Sequence, residues 1–409
     1  MTIGVGGSVA EQQLATLGDL SVGVPDIALA EYQNRINRVR KLMQRQDIAA
    51  LYLNAGTNLY YFTGTRWTSS ERMVGAVVPH QGDIHYIAPE FERGTLNDFI
   101  KIRGNISCWQ EHEDPYELLQ KTLVSKGITS GRVGIDESTP FFMYDGIRNA
   151  NPSLGYTNAQ SVTQPCRMIK SGAEIGLLQR AKDMTLTVHK ATARMLRSGI
   201  TTTEVTEFID QAHRRVGAPG GSYFCIVLFG EATAYPHGVK HAQSLEDGDM
   251  VLIDTGCQLH GYISDITRSY VYGEPSPRQR EVWDIEKEAQ ASAFTAARLG
   301  QPCSAVDLAA RLTLERHGLG PGYKIPGLPH RTGHGIGLDI HEGPYLVGND
   351  HTPLEKGMCF SNEPMICIPG EFGIRHEDHF YMTDSGPRWF TQPAHSVDDP
   401  FGVGIDNDG

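Results

Sequence analysis

Apolar residues recur at helical spacing from Glu31 onward. Tyr32, Ile36, Val39 and Met43 fall on one face and predict an amphipathic helix. Ala49 to Leu53 is a short continuous apolar run and reads as a buried strand. Similar runs at Met73–Val78 and Ile84–Ala88 predict two more strands, and a helical pattern covers Tyr116–Ser125. This mixture describes an α/β N-terminal domain over residues 29–162. Residues 1–28 have weak periodicity and read as a loosely docked arm.

The second half has a clearer rhythm. Ser171-Gly-Ala-Glu174 is a capping box that opens a long helix running to about Arg197, where Gly199 stops it. A second helix covers Thr203–Val216, and strands follow at Phe224–Phe229, Met250–Thr255 and Tyr262–Tyr272. The order then recurs. Ser276-Pro277 supplies an N-cap and an N1 proline for a long helix ending before Gly300. Ser304 opens a shorter helix ending before Gly318, with strands around Met358–Ile368 and Ile374–Met382. Two tandem units of long helix, short helix and strands point to a duplicated α+β domain over residues 163–409; chance alternation of helix pairs and hairpins is the plainer alternative.

Composition narrows the function. The 409 residues suffice for two domains. A net charge of −12 argues against a nucleic-acid or anionic-membrane surface. No apolar run approaches the length of a membrane span, and Met-Thr-Ile-Gly-Val-Gly-Gly lacks the basic and apolar regions of a signal peptide. The seven cysteines are scattered, without Cys-x-x-Cys pairs, as expected of reduced thiols in the cytoplasm.

The chemistry concentrates in five residues: Asp254 in Val-Leu-Ile-Asp-Thr-Gly, Asp265 in Tyr-Ile-Ser-Asp-Ile-Thr-Arg, His334 in Thr-Gly-His-Gly-Ile-Gly-Leu, Glu363 in Ser-Asn-Glu-Pro-Met and Glu377 in Ile-Arg-His-Glu-Asp-His. Singly, such an Asp is an ordinary turn or edge residue and such a Glu a solvated one. Jointly they place four carboxylates in apolar, strand-like surroundings, a cost that cations or protons must offset. Two divalent ions match four carboxylates in charge. Hairpins spanning Gly256–Gly261 and the Pro369-Gly370 turn can bring each acidic pair to one end of a sheet. One imidazole among carboxylates makes an oxygen-rich site suited to manganese, cobalt, iron or zinc. Competing motifs are missing: His376-Glu-Asp-His379 has the wrong spacing for His-Glu-x-x-His, and neither a Gly-x-Ser-x-Gly elbow nor a phosphate loop occurs.

In order, Asp-x10-Asp, Gly333-His-Gly-x-Gly-Leu-x-x-His-Glu342, Asn362-Glu-Pro364 and Gly373-x-Arg-x-Glu-Asp378 resemble the pita-bread metallopeptidases, most of all the bacterial Xaa-Pro dipeptidases (prolidases). The resemblance extends over residues 30–395, through Asn58-Leu-Tyr-Tyr-Phe-Thr-Gly64 and Arg167-Met-Ile-Lys-Ser-x-x-Glu174. It implies a pita-bread catalytic domain behind the α/β domain, two divalent metal ions with manganese first among them, and a homodimer. It also implies a proline-containing dipeptide as substrate, attacked by a metal-bridging hydroxide.

Roles carry over by position. Asp254 would chelate one metal, Asp265 and Glu377 would bridge both, and His334 and Glu363 would complete the second. Glu363 would also shuttle the proton. His237 and His341 match substrate-side histidines that stabilise the tetrahedral intermediate. Arg375 matches an arginine that steadies Glu377 or the substrate's carboxylate, and Trp67 corresponds either to an aromatic residue the family sends into the neighbouring subunit's site or to a core tryptophan. Two positions depart from the pattern: Gly230-Glu-Ala232 replaces a usual Gly-x-Asn, and His376 replaces an aliphatic residue. Aminopeptidase P, hydrolases or lyases of non-peptide molecules, and a binding module are the rival expectations.

Overall fold

The computed structural model describes residues 2–404, which form two units: 25–167, and 2–24 together with 168–404.

In the first unit the helical periodicity holds. Helix Leu29–Arg45 buries Tyr32, Ile36, Val39 and Met43. It also buries Arg35, whose guanidinium lies 4.1 Å from the Tyr61 ring centroid and donates to the Tyr61 carbonyl at 3.0 Å. The strands form one six-stranded mixed sheet. Strand Ile48–Asn54 pairs antiparallel with Gly75–Pro79 and parallel with Arg132–Ile135, and its apolar residues fill the core.

The second unit begins with residues 2–24. The segment expected to dock loosely carries a helix, Ala10–Thr16, and is held by backbone hydrogen bonds from Thr2 to Gly273, Gly6 to Ala193 and Leu20 to Val216. Four longer helices follow in two pairs. Gly172–Met195, Thr202–Arg215 and Pro277–Ala296 each start with a capping box, formed by Ser171 with Glu174, Thr201 with Glu204 and Ser276 with Gln279. The fourth, Cys303–Arg316, starts one residue before Ser304, whose hydroxyl does not cap it.

Between the helices lie the sheets that position the site. Strand Met250–Leu259 is flanked by Ser222–Phe229 and Ile266–Val271. A five-stranded sheet runs in the order Glu342–Leu346, Gly333–Gly335, Cys359–Asn362, Asp378–Thr383 and Gly386–Trp389. A two-stranded hairpin pairs Met365–Ile368 with Phe372–Arg375.

Three runs that read as single strands are interrupted. The Tyr262–Tyr272 run breaks at Ser264-Asp265, the Met358–Ile368 run at Glu363-Pro364, and the Ile374–Met382 run at His376-Glu377. Each break falls on a candidate metal ligand. At the Glu363 and Glu377 breaks the backbone passes between the five-stranded sheet and the two-stranded hairpin, whereas the strands on either side of Asp265 both pair with Met250–Leu259. Apolar periodicity detects the burial of such a run but not the interruption.

Candidate metal centre

Asp254 sits in register between Ile226 and Thr267. A close backbone approach lets the hairpin close beside it: a Cβ on Gly256 would run into the Ser264 carbonyl. His334 is likewise flanked by crowded glycines, since a Cβ on Gly333 or Gly335 would meet the Ser361 or Glu342 carbonyl. Glu363 is placed by its own N–H, which donates to the Thr332 carbonyl at 2.8 Å. Glu377 is placed by an N–H bond to the Thr267 carbonyl at 3.1 Å, a bridge between two sheets.

All eight candidate residues line one cavity of about 570 Å³: Asp254, Asp265, His334, Glu363, Glu377, His237, His341 and Arg375. Its size falls in the range of small-molecule sites. Asp254, Asp265, His334, Glu377 and Arg375 are buried, whereas His237 and His341 are exposed at the cavity wall.

The hydrogen bonds show how the donors are oriented. Arg375 Nη2 donates to Asp254 Oδ2 at 2.6 Å, and its Nε donates to Thr267 Oγ1 at 3.1 Å. Thr267 Oγ1 donates to Glu377 Oε2 at 2.8 Å, so the arginine acts on Glu377 through that hydroxyl. Ser361 Oγ accepts from the His334 N–H at 2.9 Å and donates to Glu363 Oε1 at 3.0 Å. His334 Nδ1 lies 3.0 Å from the Gly335 carbonyl. A carbonyl only accepts, so Nδ1 carries the proton and Nε2 presents its lone pair. That lone pair faces Glu363 Oε1 at 3.1 Å and Asp265 Oδ2 at 3.7 Å.

Acceptors facing one another this closely need a cation or a proton between them. Asp254 Oδ1 and Asp265 Oδ1, both buried, have no hydrogen-bond partner among the described residues. Groups with metal-ligand spacing recur here: Asp265, His334 and His341; His334, Glu363 and Glu377; and Asp265, Glu377 and His379. The donor set therefore fits divalent cations. Burial raises the pKa of Asp265 and Glu377 well above the usual range, reinforced for Asp265 by Glu377, Asp254 and Glu363, and for Glu377 by Glu363 and Asp254. Burial also raises Asp254, against the pull of Arg375. For Glu363, burial acts upward, but the neighbouring His334, His330 and Arg375 side chains bring it below its ordinary value. The partial enclosure of its ring by the cavity, then His334, depresses His341 to about 4, which keeps it neutral near pH 7.

Several residues of the site carry no signal in the apolar pattern. His330 and Arg331 line the cavity from the segment just ahead of Gly333, and the buried His330 Nε2 has no partner among the described residues. His379 Nε2 lies 3.1 Å from Glu377 Oε1. Strand alternation places residues 377 and 379 on one side, which was the available clue. His376 turns the other way: its ring centroid is 4.4 Å from that of Trp283, and its Nε2 is 3.4 Å from Glu286 Oε2.

The sequence matches two family models, metallopeptidase family M24 over residues 176–384 and the creatinase/prolidase N-terminal domain over residues 35–169. The chain belongs to metallopeptidase family M24: it is an α+β metal-dependent peptidase with the pita-bread fold, preceded by a creatinase-type domain. Among its relatives, the Xaa-Pro dipeptidase of Pyrococcus furiosus is 29% identical over 88% of this chain and 98% of its own length. The structure of the dipeptidase PepE from Mycobacterium ulcerans is similar with a TM-score of 0.84 and 31% identity, covering 91% of this chain and 99% of that one. The X-Pro aminopeptidase of Thermotoga maritima is similar with a TM-score of 0.77 and 26% identity, over 88% and 98% of the two chains.

Proposed function

We propose that this metallopeptidase is an Xaa-Pro dipeptidase that releases proline from dipeptides. The observation that carries the reading is the convergence of Asp254, Asp265, His334, Glu363 and Glu377 on one cavity, with ligand-type oxygens and one imidazole lone pair turned toward each other. These five would hold two divalent cations, manganese first, since hard oxygen donors outnumber nitrogen. Bound there, such cations would supply Lewis-acid polarisation of the scissile carbonyl and a water of near-neutral pKa.

The chain's own groups do the rest. Glu363 takes the proton of the attacking water and delivers it to the prolyl nitrogen as the C–N bond breaks. His341 and His237 reach the cavity from its exposed wall and donate hydrogen bonds to the carbonyl oxygen as it gains charge. Neutral His341 donates through a ring N–H without titrating near pH 7. Arg375 opposes the rise that burial imposes on the Asp254 pKa and, through Thr267, orients Glu377.

Two further features agree with a cytoplasmic enzyme acting on small peptides. All seven cysteines are free. No helix among the described residues is long and apolar enough to cross a membrane. The test is a substrate panel on metal-stripped protein reloaded with manganese: Ala-Pro, Ala-Pro-Ala and Ala-Ala, read by product analysis. Metal-dependent cleavage of Ala-Pro alone is the expected result. Preference for the tripeptide would instead make the enzyme an aminopeptidase P.

A further inference from the structure

Both oxygens of the Glu377 carboxylate are met by side chains. Thr267 Oγ1, which accepts from Arg375 Nε at 3.1 Å, donates to Oε2 at 2.8 Å. His379 Nε2 lies 3.1 Å from Oε1. His379 is fully buried on strand Asp378–Thr383. It pairs across the sheet with Ser361, whose hydroxyl bonds the His334 backbone and Glu363. The spacing of His379 from Asp265 and Glu377 suits a metal ligand. Two roles are therefore open to the ring: it ligates a cation itself, or it holds a carboxylate that does.

The surroundings of the two ring nitrogens separate these roles. A histidine that ligates through one nitrogen almost always donates from the other to a carboxylate, a carbonyl or water. His334 has that arrangement, with Nδ1 3.0 Å from the Gly335 carbonyl. His379 does not: its Nδ1 is buried and has no hydrogen-bond partner among the described residues. Were Nε2 a ligand, the proton would sit on Nδ1 as a buried N–H without an acceptor, and such orphaned donors are rare in folded proteins. With the proton on Nε2, the N–H meets Glu377 Oε1. The unmatched atom is then only a lone pair, which folded proteins leave unpaired more readily.

We propose that His379 is a positioning residue and not a metal ligand: its Nε2–H fixes Oε1 of Glu377 as Thr267 fixes Oε2. The assignment rests on the two-cation reading above. A carboxylate oxygen has two lone pairs, so each can accept one of these hydrogen bonds and still face a cation. Held at both oxygens, Glu377 serves two ions at once. Released at one, it can turn both oxygens to a single ion, so the loss should fall on one ion and not on both.

The test is manganese binding by calorimetry on metal-stripped wild type, His379→Leu and His379→Gln; glutamine keeps an amide N–H near the Nε2 position. His379→Leu should weaken one of the two ions about 10- to 100-fold, as for other groups that support metal ligands. The other ion should be little affected, and His379→Gln should recover part of the loss. Pulsed electron paramagnetic resonance should show the same metal-bound nitrogen signal in wild type and His379→Leu. Loss of a bound nitrogen in His379→Leu, unchanged affinity, equal weakening of both ions, or no recovery in His379→Gln would each overturn the assignment. If the wild type binds no metal, the two-cation reading fails by itself. Metal-free crystals of the three proteins then decide the role of His379. A Glu377 carboxylate turned from its wild-type orientation in His379→Leu alone supports it. An unmoved carboxylate in His379→Leu, or an equal shift in both variants, overturns it.

Discussion

Arg375 Nη2 donates to Asp254 Oδ2 at 2.6 Å, and both residues are buried at the wall of the metal cavity. Burial raises the Asp254 pKa and the arginine opposes that rise. Arg375→Met should therefore let Asp254 take up a proton, and a protonated carboxyl is a poor ligand. Manganese affinity should fall about 10- to 100-fold, as for other groups that support metal ligands. The loss should be larger in acid than in alkaline buffer, because alkali restores the carboxylate. Chelator-competition titrations at the two pH values check this.

Ser361 joins two candidate ligands through one hydroxyl, accepting from the His334 backbone and donating to Glu363 Oε1. Ser361→Ala removes both bonds without changing a ligand. Metal affinity should drop about 10-fold or more while the fold persists. Metal titration alongside far-ultraviolet circular dichroism distinguishes this from unfolding; unchanged affinity would remove Ser361 from the account.

Asp307 and Arg311 form a buried pair at 2.9 Å, and between them they fix the segment that presents His330 and Arg331 to the cavity. Asp307→Ala leaves a buried guanidinium uncompensated, which costs about 3–5 kcal/mol in such pairs. Denaturant unfolding should show that loss, and KM for Ala-Pro should rise together with it.

Glu286 is fully buried behind the site, near His376, and burial raises its pKa well above the ordinary value. An acid with a raised folded pKa binds more protons folded than unfolded, so it lowers stability as pH rises above the unfolded value. Glu286→Gln should unfold at a higher temperature near neutral pH, by about 2 °C or more. The gap should close as the buffer approaches the unfolded-state pKa of a glutamate. Thermal melts across pH measure it, and a gap independent of pH would contradict the assignment.

Two long helices of the larger unit were legible because their starts are marked by side chains: Ser171 and Ser276 both cap as local chemistry requires, whereas the Thr201 cap emerged only with the fold. The amphipathic face of Leu29–Arg45 was legible for the same local reason. The interruptions at Asp265, Glu363 and Glu377 were not, since they arise from tertiary strand pairing: the half-strands at Glu363 and Glu377 join different sheets, and those at Asp265 pair with different parts of Met250–Leu259. The cavity followed the same division. Acidic residues in apolar runs announced themselves by their cost, whereas Arg331 looks like any surface arginine until the fold turns it over Tyr345. The hold of residues 2–24 rests mainly on backbone hydrogen bonds, which no side-chain pattern reports.

The central claim is a two-cation site on which hydrolysis depends, and metal stoichiometry coupled to activity tests it most directly. Metal-stripped protein is titrated with manganese by calorimetry, and Ala-Pro hydrolysis is assayed on samples drawn along the titration. Two ions bound per chain, no turnover without metal and activity rising with occupancy are the predicted results. Hydrolysis retained by the metal-free protein, or saturation with no ion bound at the Asp254–Glu377 cluster as judged by an unchanged isotherm in Glu377→Gln, would contradict it.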